Sequence, residues 1–124
     1  MVPKFRAWDE RVGLTEVVSI DFFRKKIKIN HWEYGDSNFF PLDEVVLMQS
    51  TGLKDKNGVE IFEGDVVEWL GQRGIVEFVL NNQQTMIIGA SGYITDLDYS
   101  TDFNTEVIGN IHENPKILGQ VNES

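Results

Sequence analysis

Apolar and polar residues alternate over short stretches, which glycine, asparagine, aspartate and serine interrupt about every ten residues. No segment sustains the i, i+3, i+4, i+7 spacing of an amphipathic helix for three turns. The pattern therefore predicts a mainly β protein built from small antiparallel sheets, with at most a short helix. The predicted strands are Lys4–Trp8, Val17–Phe22, Lys26–Trp32, Val45–Gln49, Asp65–Leu70, Ile75–Leu80, Thr85–Ile88 and Thr105–Ile111.

The strongest hairpin signal joins Asp65–Leu70 to Ile75–Leu80 through residues 71–74, which begin and end with glycine. If this loop has four residues, Glu68 and Glu77 lie directly across from each other. Such a carboxylate pair either binds a cation or a basic partner, or it is a solvated pair eased by a nearby basic side chain, and we favour the solvated pair. Alternation predicts a core face on the other side of the hairpin, made of Val67, Trp69, Val76 and Phe78.

Asn57-Gly58 is a second turn signal, since both residues tolerate a positive φ angle, and it predicts a hairpin tip. Gly64-Asp65 and the later Gly74-Ile75-Val76 resemble the glycine pattern of small SH3-like barrels, so a barrel-type C-terminal unit is expected. Related barrels that bind nucleic acid have basic surfaces. The acidic residues around this pattern therefore weaken an RNA-binding interpretation; they are Glu63, Asp65, Glu68 and Glu77.

The segment between Gly89 and Glu106 is acidic and reads as a loop whose aromatic residues pack down. The run that begins at Asp96 invites comparison with a calcium-binding loop, but Thr101 stands where glycine is needed and Val107 where glutamate is needed. We therefore expect no metal site and no cofactor. Asn114-Pro115 is a helix-start signal that predicts only a turn or two.

The chain of 124 residues has a formal net charge of −9, but the charge is uneven. Residues 1–30 hold four acidic groups against seven basic ones, which are Lys4, Arg6, Arg11, Arg24, Lys25, Lys26 and Lys28. The acidic remainder would repel phosphate backbones and anionic membrane surfaces. There is no cysteine, which excludes disulfides and thiolate chemistry. We expect a cytoplasmic protein with no membrane partner.

Three blocks carry a family resemblance: residues 5–9, residues 47–65 and residues 106–115. Together they resemble the YopX protein family of bacteriophages and prophages, whose biochemical role is not established. The resemblance implies a mostly β fold with a barrel-like C-terminal part, a phage or prophage origin, and no catalytic residue to carry over. Its motif residues are Thr51, Gly52, Asp55, Gly58, Glu63, Gly64, Asp65, Gly109 and Asn110.

Elementary physical chemistry gives these residues a structural interpretation, because glycines permit unusual φ angles and aspartates cap turns through backbone hydrogen bonds. We expect a single YopX-like domain over residues 1–124. Within it, residues 1–50 add N-terminal strands, residues 51–119 form the barrel-like unit, and residues 120–124 form a frayed tail.

An enzyme is not the favoured hypothesis. The neutral-pH bases are His31 and His112, and neither lies in a catalytic motif. We expect a non-catalytic phage accessory protein that binds a host or phage protein, as an adaptor or inhibitor, through sheet edges or an acidic face. Exposed edge strands would also allow self-association into a homo-oligomer.

The alternative function is nucleic-acid binding through the basic segment 24–32. Alternation places its polar and basic residues on one strand face and ends with an aromatic ring that could stack on a base. The competing interpretation, which we favour, is a solvated edge strand whose lysines discourage aggregation. The residues that would contact nucleic acid are Arg24, Lys25, Lys26, Lys28 and Trp32.

Overall fold

A computed structural model describes residues 4–30, 39–79 and 84–116. The chain divides into two compact units, Met1–Gln49 and Ser50–Ser124. Within the described ranges there are eleven β-strands and two short 3-10 turns, Leu42–Glu44 and Asp102–Asn104. The mainly β prediction is therefore confirmed.

The first unit is an antiparallel sheet with the strand order β4-β3-β2-β1-β5. Its core holds Ala7, Ile27, Ile29 and Phe40, because alternate residues of β1, β3 and β4 point to one face. The strands are β1 (Phe5–Asp9), β2 (Gly13–Asp21), β3 (Lys26–Ile29), β4 (Phe39–Pro41) and the first part of β5 (Val46–Lys54).

The second unit begins with the end of β5, which pairs with β6 (Glu60–Phe62). It continues as a five-stranded antiparallel sheet in the order β10-β9-β8-β7-β11. The strands of this sheet are β7 (Asp65–Trp69), β8 (Gln72–Val79), β9 (Gln84–Gly89), β10 (Gly92–Asp96) and β11 (Thr105–Asn110). Its core cluster is Leu53, Ile61, Val67, Val76, Ile87 and Leu97.

The predicted barrel is not formed. In the described part of the chain the five-stranded sheet is open, with β10 at one edge and β11 at the other. The glycine pattern that suggested a barrel instead serves tight turns and close packing. Gly64 has a φ of +85°, and a Cβ atom on Gly74 would lie 2.6 Å from the Ile87 side chain.

All eight predicted strands have counterparts, with shifted ends. Three strands were missed: β4, β6 and β10. The last of these lies in the segment that was expected to be a loop. The predicted core face is correct for Val67 and Val76, whereas Phe78 is 44% exposed near the end of β8.

The β7–β8 turn is shorter than predicted. Its two residues, Leu70 and Gly71, have φ angles of 48° and 82°, so both central residues are left-handed, as in the tight hairpin turns. Glu68 therefore pairs with Arg73, and Glu77 pairs with Met86 in the next strand. The expected juxtaposition of Glu68 and Glu77 is wrong.

Some predictions fall on residues that are not described, among them the ends of two predicted strands at residues 31–32 and 80. The helix expected after Asn114 would continue into residues 117–124, and the tail at 120–124 lies there as well. Within the described ranges, none of the helical segments is long and apolar enough to cross a membrane.

Candidate binding surfaces

Asp55 links the tip of the β5–β6 hairpin to β11. One carboxylate oxygen, Oδ1, accepts hydrogen bonds from the backbone N–H groups of Asn57 at 2.8 Å and Val59 at 2.9 Å. The other, Oδ2, accepts from the N–H of Val107 at 2.9 Å. Gly58 completes the turn with a φ of +83°. The Asp55 carboxylate is thus fully engaged by backbone donors.

Asp65 makes a second junction, at the start of β7. Its Oδ2 accepts a hydrogen bond from the N–H of Phe62 at 2.9 Å, and its Oδ1 accepts one from the Asn110 side-chain amide at 3.2 Å. The Asn110 Oδ1 in turn accepts from the N–H of His112 at 2.9 Å. Both Asp65 and Asn110 are almost completely buried. Gly64 lies beside them and bonds through its backbone to Val76 and Ile111.

The remaining motif residues lie along the same strands. The Thr51 hydroxyl donates to the carbonyl of Ile61 at 2.8 Å and accepts from the N–H of Leu53. Gly52 has a φ of +79°, and Gly109 follows a bulge in the β11–β7 pairing. Glu63 is half-buried. These residues are spread over several turns and strands, where their hydrogen bonds and φ angles shape the path of the chain.

The predicted nucleic-acid residues belong to the β2–β3 hairpin. Asp21 pairs with Lys26 across a turn formed by residues 22–25, in which Lys25 has a φ of 56°. Ile27 and Ile29 are buried, while Lys26 and Asn30 are exposed and Lys28 is half-buried, so the predicted alternation is confirmed over residues 26–30. The expectation of an edge strand is wrong, because β3 lies between β2 and β4 in the sheet. Trp32 lies outside the described residues.

The same hairpin exposes aromatic rings that sequence reasoning missed. Phe22 is 69% exposed and Phe23 is 95% exposed in the turn, and Phe39 on the neighbouring strand is 55% exposed. The Lys28 ammonium lies 5.9 Å from the centroid of the Phe39 ring. We call this surface the basic hairpin; it comprises residues 21–28 together with Phe39.

In the second unit, the sheet face opposite the core cluster carries an apolar row. Cross-strand pairing aligns Val66, Ile75, Ile88 and Tyr93 on this face. Val66 is buried, Ile75 and Ile88 are half-buried, and Tyr93 at the β10 edge is 61% exposed. The row therefore becomes more open to solvent toward Tyr93.

Carboxylates flank this apolar row on both sides. Glu106 and Glu68 lie on one side, where they face Lys56 at 3.3 Å and Arg73 at 3.5 Å respectively. Glu77 and Asp96 lie on the other side, both paired with Met86. We call this surface the acid-flanked face; it comprises the row of four and these four acidic residues.

Tyr93 is tied to the acidic edge of that face. Its hydroxyl donates to Asp96 Oδ1 at 3.1 Å, and this hydrogen bond is the main reason why the pKa of Tyr93 is raised above its ordinary value of 10.0. The phenol therefore stays a neutral hydrogen-bonding group, and the site keeps an aromatic ring beside carboxylates.

A surface pocket in the first unit is lined by Trp8, Asp9, Glu10, Arg11, Glu44 and Val46. The buried carboxylate in this pocket, that of Asp9, already forms an ion pair. The Arg11 guanidinium donates from Nε to Asp9 Oδ1 at 2.9 Å and from Nη2 to Oδ2 at 2.7 Å. These side-chain hydrogen bonds lower the pKa of Asp9 below its ordinary value of 3.8. The pocket thus holds an internal ion pair at its base.

The segment compared with a calcium loop is organised by its own hydrogen bonds. Asp98 Oδ1 accepts from the N–H of Ser100 at 2.8 Å and also from its hydroxyl, and these bonds lower the pKa of Asp98. Across the described ranges, no group of three or more metal-ligating side chains converges.

Comparison with known proteins identifies what the chain is similar to. The family model described as YopX protein matches residues 4–119. Among solved structures, the crystal structure of protein EF1440 from Enterococcus faecalis has a TM-score of 0.55 and 29% sequence identity, and the match covers 95% of this chain and 99% of that chain. No curated protein matches.

Proposed function

The chain belongs to the YopX protein family, and from that premise we propose that it is a non-catalytic phage or prophage accessory protein that binds another protein. The proposed action is that of an adaptor or inhibitor in the cytoplasm of the bacterial host. The observation that carries the proposal is the acid-flanked face, where an apolar row that ends at Tyr93 runs between carboxylates.

The face fits a partner of defined chemistry. The part of the row that solvent can reach, from Ile75 to Tyr93, crosses three strands and spans about 10 Å. This size suits one or two apolar anchors of a partner segment, and tyrosine is enriched among the residues that dominate binding energy. The proposed partner segment is apolar with lysine or arginine on both sides.

Charge favours the same partner. The face holds four acidic residues, of which Glu68 and Glu106 face the basic side chains of Arg73 and Lys56. The surplus of negative charge, on a chain whose formal net charge is −9, accelerates encounter with a basic surface and discriminates against acidic ones. Affinity should therefore fall as salt is raised, while the apolar contact sets the residual binding.

The test is affinity capture during infection or prophage induction, with wild-type protein and matched variants compared by quantitative mass spectrometry. Tyr93→Ala removes the exposed ring, and Tyr99→Ala is its control, because Tyr99 is 80% exposed outside the apolar row. We expect Tyr93→Ala to weaken partner binding about 30-fold, the loss typical of an aromatic residue that dominates an interface.

The charged flanks are tested in the same way. Glu68→Gln with Glu77→Gln should weaken capture chiefly at low salt, whereas Glu10→Gln with Glu113→Gln, which removes the same charge elsewhere, should not. Equal capture of the same proteins by wild type and by both face variants would refute the proposed site.

A further inference from the structure

The basic hairpin presents three exposed aromatic rings on the first unit. Phe22 and Phe23 lie in the turn and Phe39 lies on the neighbouring strand, and all three are more than half exposed. A group of large apolar side chains in water marks an interaction surface more often than a single exposed residue does. The core of this unit is already filled by other residues, among them Phe40 and Ile27.

Cations lie between and beside these rings. Lys28 pairs with Phe39 across the strands and Lys26 pairs with Pro41, so the two lysines project from the same face and are spaced about 7 Å apart along β3. Arg24 and Lys25 follow Phe23 in the turn. Asp21 lies 3.7 Å from the Arg24 guanidinium and pairs across the strands with Lys26, so residues 21–28 hold four basic groups against one acid.

Alternating rings and cations match one class of ligand. The π faces of exposed aromatic rings stack on unpaired bases of any sequence, and lysines beside them contact the phosphates. In a duplex the bases are already stacked on one another and are not available to the rings. We infer that the basic hairpin binds single-stranded nucleic acid, with Lys26 and Lys28 on phosphates and the three phenylalanines on bases.

This inference goes beyond the proposed protein-binding function, since it concerns a different unit and a different ligand. The chain is acidic overall, but four basic residues lie together within positions 24–28 of the hairpin. Electrostatic attraction of a phosphate backbone depends on charges within about a Debye length, roughly 10 Å at 0.1 M salt, so the local surplus decides binding.

The experiment measures fluorescence anisotropy of the full chain with a labelled single-stranded oligonucleotide of about 15 nucleotides and with its duplex, over a salt series. Phe22→Ala with Phe23→Ala removes the stacking rings, and Tyr99→Ala with Phe103→Ala removes two exposed rings elsewhere. Lys26→Ala with Lys28→Ala is matched in charge by Lys54→Ala with Lys116→Ala. Thermal melting of each variant verifies that it folds.

We expect the phenylalanine pair to weaken single-strand binding at least about fivefold. The Lys26 and Lys28 pair should reduce the slope of log K against log salt by about 1.4. Both control pairs should bind like wild type. Absence of single-strand binding at low salt would overturn the inference. So would equal affinities for the single strand and the duplex, if Phe22→Ala with Phe23→Ala changed neither of them. Retention on phosphatidylserine vesicles without oligonucleotide binding would also overturn it and assign the hairpin to a membrane surface.

Discussion

Replacing Asp55 with alanine removes the acceptor for three backbone N–H groups at once. Two of these donors, Asn57 and Val59, lie in an exposed loop where water can take over part of the hydrogen bonding. The third, Val107, is half-buried in β11 and bonds to Asp55 across 52 positions of sequence. The substitution therefore removes the Asp55 link between the β5–β6 hairpin tip and the edge strand β11, while the backbone bond from the Lys56 N–H to the Thr105 carbonyl remains.

The magnitude follows from these environments. A hydrogen bond to a charged acceptor contributes about 1.5–3 kcal/mol, and an unsatisfied buried donor costs a similar amount. With the Val107 bond counted fully and the two loop bonds in part, Asp55→Ala should lower the free energy of unfolding by about 2–4 kcal/mol. For a chain of this size the melting temperature should fall by roughly 10 °C.

Urea unfolding and thermal melting measure this loss, and hydrogen exchange locates it. Asp55→Asn keeps one carbonyl oxygen for the loop donors but places an amide nitrogen near the Val107 N–H, so its cost should be intermediate, with exchange accelerated at Val107. Glu113→Ala removes an exposed carboxylate from the same unit and should cost less than about 0.5 kcal/mol. If Asp55→Ala were as mild as this control, the structural interpretation of the motif would be wrong.

Three further predictions concern backbone conformation, packing and pH. Leu70→Asn should stabilise the protein by about 0.5–1 kcal/mol in urea unfolding, since asparagine adopts the positive φ of this turn more readily than leucine does; unchanged or lower stability would contradict this. Gly74→Ala should lower the free energy of unfolding by about 1–3 kcal/mol, because the added Cβ would press on the Ile87 side chain and on the backbone of Ile88. A melting temperature within about 1 °C of wild type, which corresponds to a loss of roughly 0.3 kcal/mol, would refute this prediction. The ion pair with Arg11 lowers the pKa of Asp9, so the stabilisation from this pair is present above about pH 4 and is lost as the pH falls through the pKa of Asp9 in the folded protein. Unfolding free energies of wild type and Asp9→Asn, measured as a function of pH, should therefore differ above about pH 4 and become equal at lower pH.

Strand patterning in the sequence located most of the fold. Buried Ile27 and Ile29 alternate with polar Lys26 and Lys28, and this period of two is visible without a structure. The missed strands β4 and β6 have three residues each, too short to show a period, and β4 ends at Pro41. Strand β10 was missed because its bulge near Tyr93 breaks the alternation.

Loop length could not be predicted from the glycines. Gly71 and Gly74 suggested the two ends of one loop, but only Gly71 lies in the turn. Gly74 is a strand residue whose missing side chain makes room for Ile87. Sequence alone does not separate a glycine needed for a positive φ from one needed for close packing, and the cross-strand partner of Glu68 depended on that distinction.

The candidate surfaces were predictable only in part. The cationic face of β3 followed from alternation, but Phe22 was assigned to a strand, and its exposure depends on the four-residue turn that ends at Lys25. The acid-flanked face needed the register of five strands, which brings Glu106 beside Glu68 from distant positions. Sequence showed that the chain is acidic without showing where its carboxylates meet apolar residues.

Site-specific photo-cross-linking tests the central claim most directly. A photoreactive phenylalanine analogue replaces Tyr93 in one variant and Tyr99 in the other, and cross-linked peptides are sequenced after activation in infected host cells. The proposed function predicts a reproducible protein adduct from position 93 whose cross-linked segment is apolar and flanked by lysine or arginine, with little from position 99. Adducts from position 93 no more abundant than those from position 99, or adducts in acidic segments, would contradict it.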